Sequence, residues 1–216
     1  SATIPSTFPA LIKPNYGDSS IGITAGSYVR NSQELLSYVR KLQEELPDRP
    51  LLIQEFLEGK EYSIGVVGNP GLTCTFLPTL EVDYSQLQEG LPRILGYESK
   101  WLPDSPYWTQ ISYLEAQLDE DTQRKLQDYS SQLFSRLGCR DYARFDFRAD
   151  ARGEIKLLEV NPNPGWCWDG KMNIMAGFAG FRYADLLRMI IEAAQERIAS
   201  QNPAKGNGNG NGNGAS

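Results

Sequence analysis

The order of secondary-structure signals along the chain predicts an α+β fold in which antiparallel sheets pack against helices. Strand-like runs occur in pairs separated by short turns, and helical patterns stand between the pairs. A parallel sheet would need regular strand–helix–strand alternation, which this sequence lacks. The 216 residues are enough for one domain or two small ones.

The first part of the chain predicts a hairpin, a helix and a strand. Residues 8–14 read as a strand ended by proline, and residues 21–25 as its hairpin partner across a turn rich in glycine and serine. Asn31 or Ser32 is the expected N-cap of a helix whose apolar residues recur at helical spacing. Residues 51–56 follow as a buried strand.

The remaining patterns predict two strands, a long loop, a helix, a hairpin and a last helix. In chain order these are strands at 61–67 and 73–82, an irregular segment at 83–111, a helix at 119–137, a hairpin of 139–148 with 154–160, and a helix at 183–198. Residues 201–216 end in Gly-Asn repeats, a composition typical of disordered segments and linkers.

Composition excludes several classes of function. The net charge of −6 argues against a nucleic-acid-binding surface, and no apolar run is long enough to span a membrane. The chain has no histidine, so serine–histidine triads and histidine metal sites are excluded. Its three cysteines lack CxxC spacing, which favours a reducing compartment and a cytoplasmic protein without structural zinc.

The strongest candidate site lies in the hairpin at 139–160. Asp146 stands on its first strand, and Glu159 and Asn161 stand two residues apart on the second. Residues two apart on a strand share a face, and two carboxylates with an amide oxygen suit Mg²⁺. An edge hairpin with solvated acids is the alternative.

A second candidate is Lys13 with the Gly/Ser turn that follows it. Such a turn exposes backbone N–H groups that can hold phosphate oxygens, and a nearby lysine adds positive charge. The turn contains Ser19 and Ser20 but is not a Walker A loop. An ordinary hairpin with a surface lysine is the alternative.

A third candidate is the linker between the strands at 51–56 and 61–67. Its backbone, at Gln54, Glu55, Phe56 and Leu57, can hydrogen-bond an adenine edge, and Glu61 can accept from ribose hydroxyls.

A fourth candidate lies within the long loop, where Lys100 stands in an aromatic-flanked segment that can act as a lid over phosphates. A plain strand connection and a disordered loop are the alternatives.

Taken together and in this order, the four patterns resemble the ATP-grasp fold, and within it the D-alanine–D-alanine ligases. The resemblance runs from Phe8 to about Ile198. It implies a nucleotide site between two subdomains, residues 1–57 and 58–200, and the cofactors ATP and Mg²⁺, with Mn²⁺ as a substitute.

The resemblance also implies roles for individual residues. The implied nucleotide contacts are Lys13, Ser19, Ser20, Gln54, Glu55, Phe56, Leu57, Glu61 and Lys100. The implied metal ligands are Asp146, Glu159 and Asn161, and the implied catalytic residues are Arg144, Lys100 and Ser19. Residues 161–165 match the family's Asn-x-x-Pro-Gly turn.

The chain departs from the family in four ways, one of which is that the family's second phosphate-binding lysine is absent. The family's N-terminal domain, which helps to bind the first substrate and to close the lid, is missing. Trp101 ends the lid motif where the dipeptide ligases typically carry tyrosine. Residues 166–171 replace the segment in which those enzymes place a serine that holds the acceptor carboxylate, which puts D-alanine in doubt as the acceptor.

The activity implied by the resemblance is ATP-dependent amide formation. A carboxylate takes the γ-phosphate to form an acyl phosphate and ADP, and an amine then displaces phosphate. The expected partners are a small carboxylate and an amino acid, with a homodimer as a further possibility. Two other functions remain open: a nucleotide-binding module without catalysis, and an ATP-grasp ligase for a different carboxylate and amino acid.

Overall fold

A computed structural model describes residues 7–17 and 19–201. Within them the chain forms a three-stranded sheet, a six-stranded sheet and six α-helices. Each strand pair whose register is defined is antiparallel, so the predicted α+β class is confirmed. The Gly-Asn tail, residues 202–216, lies outside the described residues.

The small sheet has the order β2-β1-β3. Its central strand β1 (Ala10–Pro14) pairs with β2 (Tyr28–Val29) on one side and β3 (Leu51–Glu55) on the other. A short 3₁₀ turn (Ala25–Ser27) precedes β2. Helix α1 (Ser32–Glu45) packs on this sheet, and the buried residues of the layer are Ala10, Ile12, Val29, Leu35, Tyr38 and Leu42.

Helix α1 begins where the sequence predicts. The side-chain oxygen of Asn31 accepts hydrogen bonds from the amides of Gln33 and Glu34, 3.0 and 2.9 Å away, and so satisfies two otherwise unpaired donors. The following strand, β3, is present but only half-buried, and Leu52 is exposed. The prediction of a buried strand at 51–56 is therefore wrong in its burial.

The predicted strand at residues 21–25 is wrong. Ser19, Ser20 and Gly22 have φ angles of 56°, 58° and 79° in the left-handed region, which no strand accommodates. A side chain on residue 22 would also collide with the ring of Pro14, 2.8 Å from the position of its Cβ. The segment therefore forms a tight loop, and β2 takes the place of the hairpin partner.

The large sheet has the order β7-β6-β4-β8-β9, with β5 paired to β4 off this path. Every residue of β4 is buried, consistent with its central position. The strands are β4 (Glu61–Gly68), β5 (Cys74–Phe76), β6 (Leu80–Asp83), β7 (Ser112–Glu115), β8 (Tyr142–Ala149) and β9 (Ile155–Asn161). The predicted strand at 61–67 and the hairpin of 139–148 with 154–160 are confirmed.

Two predictions in the middle of the chain need correction. Residues 73–82 form two short strands rather than one, because Pro78 between them has no N–H to continue a ladder. The segment at 83–111, predicted to be irregular, contains helices α2 (Glu98–Trp101) and α3 (Pro106–Thr109). Strand β7 directly after it was not predicted.

Two predicted long helices are confirmed, and a third helix was missed. Helices α4 (Glu120–Arg136) and α6 (Tyr183–Gln201) match the periodic patterns, with Asp119 accepting from the amide of Thr122 at the start of α4. Helix α5 (Lys171–Phe178) has Gly170 at its N-cap and no side-chain capping bond. It therefore carries none of the usual start signals.

The turn between β8 and β9 is tied together by Asp150. Its Oδ1 accepts from the amides of Arg152 and Glu154 at 2.8 and 2.9 Å, while its own amide donates to the Glu154 carbonyl. These bonds hold the pKa of the Asp150 carboxyl below its ordinary value. The turn therefore favours neighbouring placement of the two strands that carry the predicted metal ligands.

The described chain divides into two compact units, neither of which is continuous in sequence. The first comprises the stretches up to Ser63, Thr79–Gln117 and Phe145–Glu159, and the second comprises Ile64–Pro78, Leu118–Arg144 and the residues from Val160 onward. The predicted subdomain boundary between residues 57 and 58 lies inside the first unit, and it stays a prediction.

In the second unit, a hydrogen-bonded cluster of Asp141, Asn69 and Arg197 ties α6 to the start of β8. Arg197 donates through Nε and Nη2 to the two Asp141 oxygens at 2.7 and 2.8 Å. The Asn69 amide donates to Asp141 Oδ1 and to the Ala193 carbonyl, and accepts from the Asp141 amide. Asp141 itself has a left-handed φ of 68° that these bonds stabilise.

Two further properties concern the described residues as a whole. Cys74, Cys139 and Cys167 are all free, and burial raises the pKa of the Cys74 and Cys139 thiols. Among these residues we find no helix both long and apolar enough to cross a bilayer.

We expect Asn69→Ala to lower the free energy of unfolding by about 1–3 kcal/mol, because it leaves buried partners unsatisfied. Urea denaturation followed by circular dichroism measures the effect. Gln132→Ala, at an exposed position of α4, is the control and should change stability little.

The same cluster predicts a pH dependence. The Arg197 guanidinium, followed by the Asn69 amide, lowers the pKa of the Asp141 carboxyl in the folded state. Stabilisation by this group is therefore present above the carboxyl's unfolded pKa and is lost as pH falls through the folded value. Arg197→Gln should flatten the acid limb of a stability-versus-pH curve; an unchanged limb would contradict this assignment.

Candidate functional site

Polar residues follow one face of β4 and β8 in the first unit. Glu61 and Ser63 are two apart on β4, and Asp146 and Arg148 are two apart on β8, so each pair shares a face of its strand. All four are buried. Two carboxylates and a guanidinium in a buried sheet would be costly without partners, and hydrogen bonds between the strands provide them.

Glu61, the predicted ribose acid, is one half of a buried ion pair. Arg148 Nη1 lies 3.2 Å from Glu61 Oε2, and the hydroxyl of Tyr84 donates to the same oxygen at 2.8 Å. Burial, followed by the Glu61 charge, raises the pKa of Tyr84 well above its ordinary value. Tyr84 therefore stays neutral and keeps donating to the carboxylate.

Asp146, a predicted metal ligand, accepts a hydrogen bond from Ser63. The Ser63 hydroxyl lies 2.5 Å from Asp146 Oδ1, and both residues are buried. A bond of this kind fixes the orientation of a ligating carboxylate. Ser63 was not singled out by the sequence, although its position two residues after Glu61 places it on the same face.

The other two predicted metal ligands lie on β9. Glu159 is exposed, and Asn161 is half-buried with its side-chain oxygen accepting from the Asn163 amide at 3.0 Å. No cluster of three or more acidic or cysteine side chains poised for a metal occurs within the described residues. The predicted set contains only two carboxylates, with an amide as its third member, and it stays a prediction.

The predicted phosphate loop begins at the end of β1. Lys13 is half-buried and lies opposite Leu52 in the β1–β3 ladder. Ser19 and Ser20 are half-buried in consecutive left-handed conformations, which turn the backbone sharply. Asp18 of this loop lies outside the described residues.

The predicted lid is docked on this loop. Four hydrogen bonds join them: Ser20 Oγ to the Leu95 carbonyl at 3.2 Å, the Tyr97 amide to the Ile23 carbonyl at 2.6 Å, the Ala25 amide to Glu98 Oε1 at 3.0 Å, and Trp101 Nε1 to the Ser19 carbonyl at 3.2 Å. Lys100 is exposed on α2 of this segment. The described residues thus supply a surface on which the lid packs, whereas the expectation that the lid stays mobile without another domain remains a prediction.

The predicted adenine linker joins β3 to β4. Gln54 and Glu55 end β3, and the amide of Phe56 donates to the Pro9 carbonyl at 3.0 Å. The Phe56 ring packs edge-on against Tyr28, with centroids 4.8 Å apart. Its ring centroid lies 4.8 Å from the guanidinium carbon of Arg148, so the linker contacts the Glu61 ion pair through Arg148.

The second unit carries Arg144 and the turn that follows β9. Arg144 is half-buried on β8, and the turn is held by Tyr142 and Tyr183, whose hydroxyls bond Asn163 Oδ1 and the Trp166 carbonyl. Trp166 and Trp168 are 53% and 73% exposed, a large apolar area for a tight turn. At its end, Asn173 Nδ2 donates to the Trp168 carbonyl.

A hollow in the first unit lies away from these residues. It has a volume of about 650 Å³ and is lined by residues of β2 and α1, including Arg30, Gln33 and Lys41. None of the predicted site residues lines this hollow, so it lies apart from the candidate site.

A family model for the D-ala D-ala ligase C-terminus matches residues 3–192. The chain belongs to this family. It is 27% identical to a D-alanine–D-alanine ligase of Haemophilus influenzae over 184 residues, covering 85% of this chain and 55% of the relative. It is 30% identical to the D-alanine–D-alanine ligase of Carboxydothermus hydrogenoformans, with 85% and 54% covered.

Solved structures agree on the fold. A D-alanine–D-alanine ligase from Bacillus anthracis complexed with ATP superposes with a TM-score of 0.65 at 23% identity, covering 90% of this chain and 54% of that one. The VanG D-Ala:D-Ser ligase from Enterococcus faecalis gives 0.64 at 25% identity, covering 87% and 50%. The predicted ATP-grasp fold is thus confirmed, and the chain spans about half the length of the relatives it matches.

We expect Glu61→Ala to destabilise the fold as well as to weaken ligand binding. It leaves the buried Arg148 guanidinium without its counter-charge, which costs about 3–5 kcal/mol. Urea denaturation should detect this loss, and Glu58→Ala, an exposed acid in the same linker, should leave stability nearly unchanged. An effect confined to ligand affinity would contradict the ion pair.

We expect Glu98→Ala to loosen the lid from its loop. Removing one hydrogen bond of about 1 kcal/mol should speed amide exchange across residues 95–102 by about fivefold. Hydrogen–deuterium exchange with mass spectrometry measures this, with Glu89→Ala in the same loop as the control. Equal exchange in the two variants would show that the Ala25–Glu98 bond does not hold the lid.

Proposed function

We propose that this chain is the nucleotide- and metal-binding part of an ATP-dependent carboxylate–amine ligase of the D-alanine–D-alanine ligase type. The match of the family model to residues 3–192 carries the proposal. The buried acids on β4 and β8 and the lid docked on a glycine- and serine-containing loop support it. The reaction joins a carboxylate to an amine through an acyl phosphate, with release of ADP and phosphate.

The proposed nucleotide contacts lie in the first unit. The linker backbone from Gln54 to Leu57 takes the adenine edge, and Glu61 accepts from the ribose hydroxyls. Lys13, the Ser19–Ser20 loop and Lys100 of the lid surround the phosphates. The backbone amides and ammonium groups neutralise negative charge as it moves from the γ-phosphate to the leaving ADP.

We propose Asp146, Glu159 and Asn161 as the ligands of Mg²⁺, with Mn²⁺ as a substitute. Hard oxygen donors suit this ion, and the bond from Ser63 fixes the orientation of the Asp146 carboxylate. When bound, the ion would neutralise phosphate charge. Arg144 adds a fixed cation for the transition state, Ser19 positions the phosphate loop, and the lid excludes water that would hydrolyse the acyl phosphate.

The complete activity belongs to a longer protein in this proposal. The matched relatives are about twice as long, and we propose that a further domain, of the kind found N-terminally in the family, completes the site of the first substrate. The substrates are then a small carboxylate and an amino acid. We further propose a cytoplasmic protein, in keeping with its free cysteines, and a homodimer.

A ligase for a different acceptor is the second candidate. At the turn after β9, where the dipeptide ligases place an acceptor-binding serine, this chain has the exposed Trp166 and Trp168. Bulky aromatic side chains favour an acceptor other than D-alanine. Measuring ADP release with a panel of amino acids, small and aromatic, would separate the two candidates.

We expect this chain alone to bind Mg-ATP but to release little ADP with D-alanine or any common amino acid. Part of the first-substrate site is supplied by the additional domain in this proposal, so the acyl phosphate is poorly positioned. A coupled ADP assay measures turnover. Rapid amino-acid-dependent turnover by the chain alone would contradict the need for a further domain.

The substitution Glu159→Gln in this chain tests the assignment of Glu159 as a metal ligand. It should reduce Mg²⁺-dependent ATP affinity by about tenfold or more, with no loss of folding, because Glu159 is exposed. Glu154→Gln, an exposed acid in the turn of the same hairpin, is the matched control. Calorimetry that finds no Mg²⁺-dependent binding by the unaltered chain would refute the nucleotide-binding proposal as a whole.

A further inference from the structure

Glu61 presents its two carboxylate oxygens to different surroundings. Both of its hydrogen bonds, from Tyr84 and from Arg148, end on Oε2. Neither of these two bonds involves Oε1, and Oε1 is not one of the fully buried unpaired atoms among the described residues. The carboxylate is thus held through one oxygen, while the other remains able to accept from a ligand.

Arg148 is itself fixed on several sides. Its Nε donates to the Gly59 carbonyl at 3.2 Å, and its guanidinium carbon lies 4.8 and 5.7 Å from the ring centroids of Phe56 and Tyr84. The residue is 4% exposed. Its Nη2 has no hydrogen-bond partner within the described chain, and the two aromatic faces offset part of that cost.

This geometry resists rotation of the Glu61 side chain. A carboxylate held by one neutral and one charged donor on the same oxygen cannot turn Oε1 away without breaking both bonds. An exposed side chain would lose rotamer freedom when it binds a ligand, whereas the Glu61 side chain has already lost that freedom on folding. Interactions that are preorganised in this way gain affinity without an ordering cost at the time of binding.

We propose that Arg148 and Tyr84 are positioning residues that preset Glu61 Oε1 for the ribose hydroxyls, and so determine selectivity for ribonucleotides over deoxynucleotides. The inference rests on the proposed role of Glu61 in nucleotide binding. Arg148 also contacts Phe56 of the linker. The same guanidinium therefore sets the ribose acceptor and supports the segment proposed to hold the adenine edge.

The experiment compares the affinities of Mg-ATP, Mg-2′-deoxy-ATP and Mg-3′-deoxy-ATP by calorimetry. The unaltered chain should bind ATP about tenfold or more tightly than at least one deoxy form, the value of a hydrogen bond to a charged group. A purely structural role for Arg148 and Tyr84 would change all three affinities alike. A positioning role changes the ratio between them.

Tyr84→Phe and Arg148→Lys are the test variants. Tyr84→Phe removes one donor from Oε2 and keeps the ring, and Arg148→Lys keeps the charge but loses the planar fork. Each should lower the ATP-to-deoxy-ATP ratio by about threefold or more, while the deoxy affinity changes little. Tyr129→Phe and Arg152→Lys, both at exposed positions, are the matched controls and should keep the ratio.

Glu61→Gln separates failure of this inference from failure of the proposed function. If it abolishes the ratio while both test variants keep it, Glu61 binds ribose but Arg148 and Tyr84 do not position it, and the inference is overturned. If Glu61→Gln also keeps the ratio, or the unaltered chain shows none, the ribose assignment itself is wrong. Should Arg148→Lys fail to fold, Tyr84→Phe alone decides.

Discussion

The buried ion pair between Glu61 and Arg148 is the constraint on which the rest of the site depends. Two charges within a sheet are tolerated only when each has partners at hydrogen-bond distance. That requirement fixes how β4 and β8 present their polar residues, because any change of register by one residue would send Glu61 or Arg148 to the apolar face. The bond between Ser63 and Asp146 follows from the same register, since each lies two residues from a member of the pair.

The same constraint changes how substitutions here are interpreted. From the sequence alone, Glu61 is expected to accept from ribose hydroxyls, and its removal is expected to weaken nucleotide binding. In the folded chain, its carboxylate also compensates a buried guanidinium, so stability and recognition depend on one group. Replacements that preserve side-chain shape, such as Glu61→Gln and Tyr84→Phe, are therefore more informative about nucleotide recognition than replacements by alanine.

Sequence patterns predicted most of the fold because most of its signals are local. Asn31 and Asp119 cap helices by bonds to residues two or three positions away, and the Asp150 turn closes on itself. The errors arose where the usual local signals mislead or are absent. Residues 21–25 look extended but are turned by Ser19, Ser20 and Gly22, and α5 starts without a capping side chain. Of the candidate site, strand spacing and the linker pattern pointed to the acids and the family resemblance gave them roles, whereas Arg148, Tyr84 and Glu98 are defined only by their long-range partners.

The lid shows how much of the proposed nucleotide site one part of the chain can organise. Each of its four bonds to the loop at 19–25 has a backbone group on at least one side, and none needs a residue from outside the chain. A docked lid lowers the entropic cost of ordering Lys100 when nucleotide binds. Trp101 contributes its indole N–H to this contact through a larger ring than tyrosine would provide. An additional domain would then be needed chiefly to hold the carboxylate substrate, not to create the nucleotide site, so nucleotide affinity and turnover should depend on different parts of the full protein.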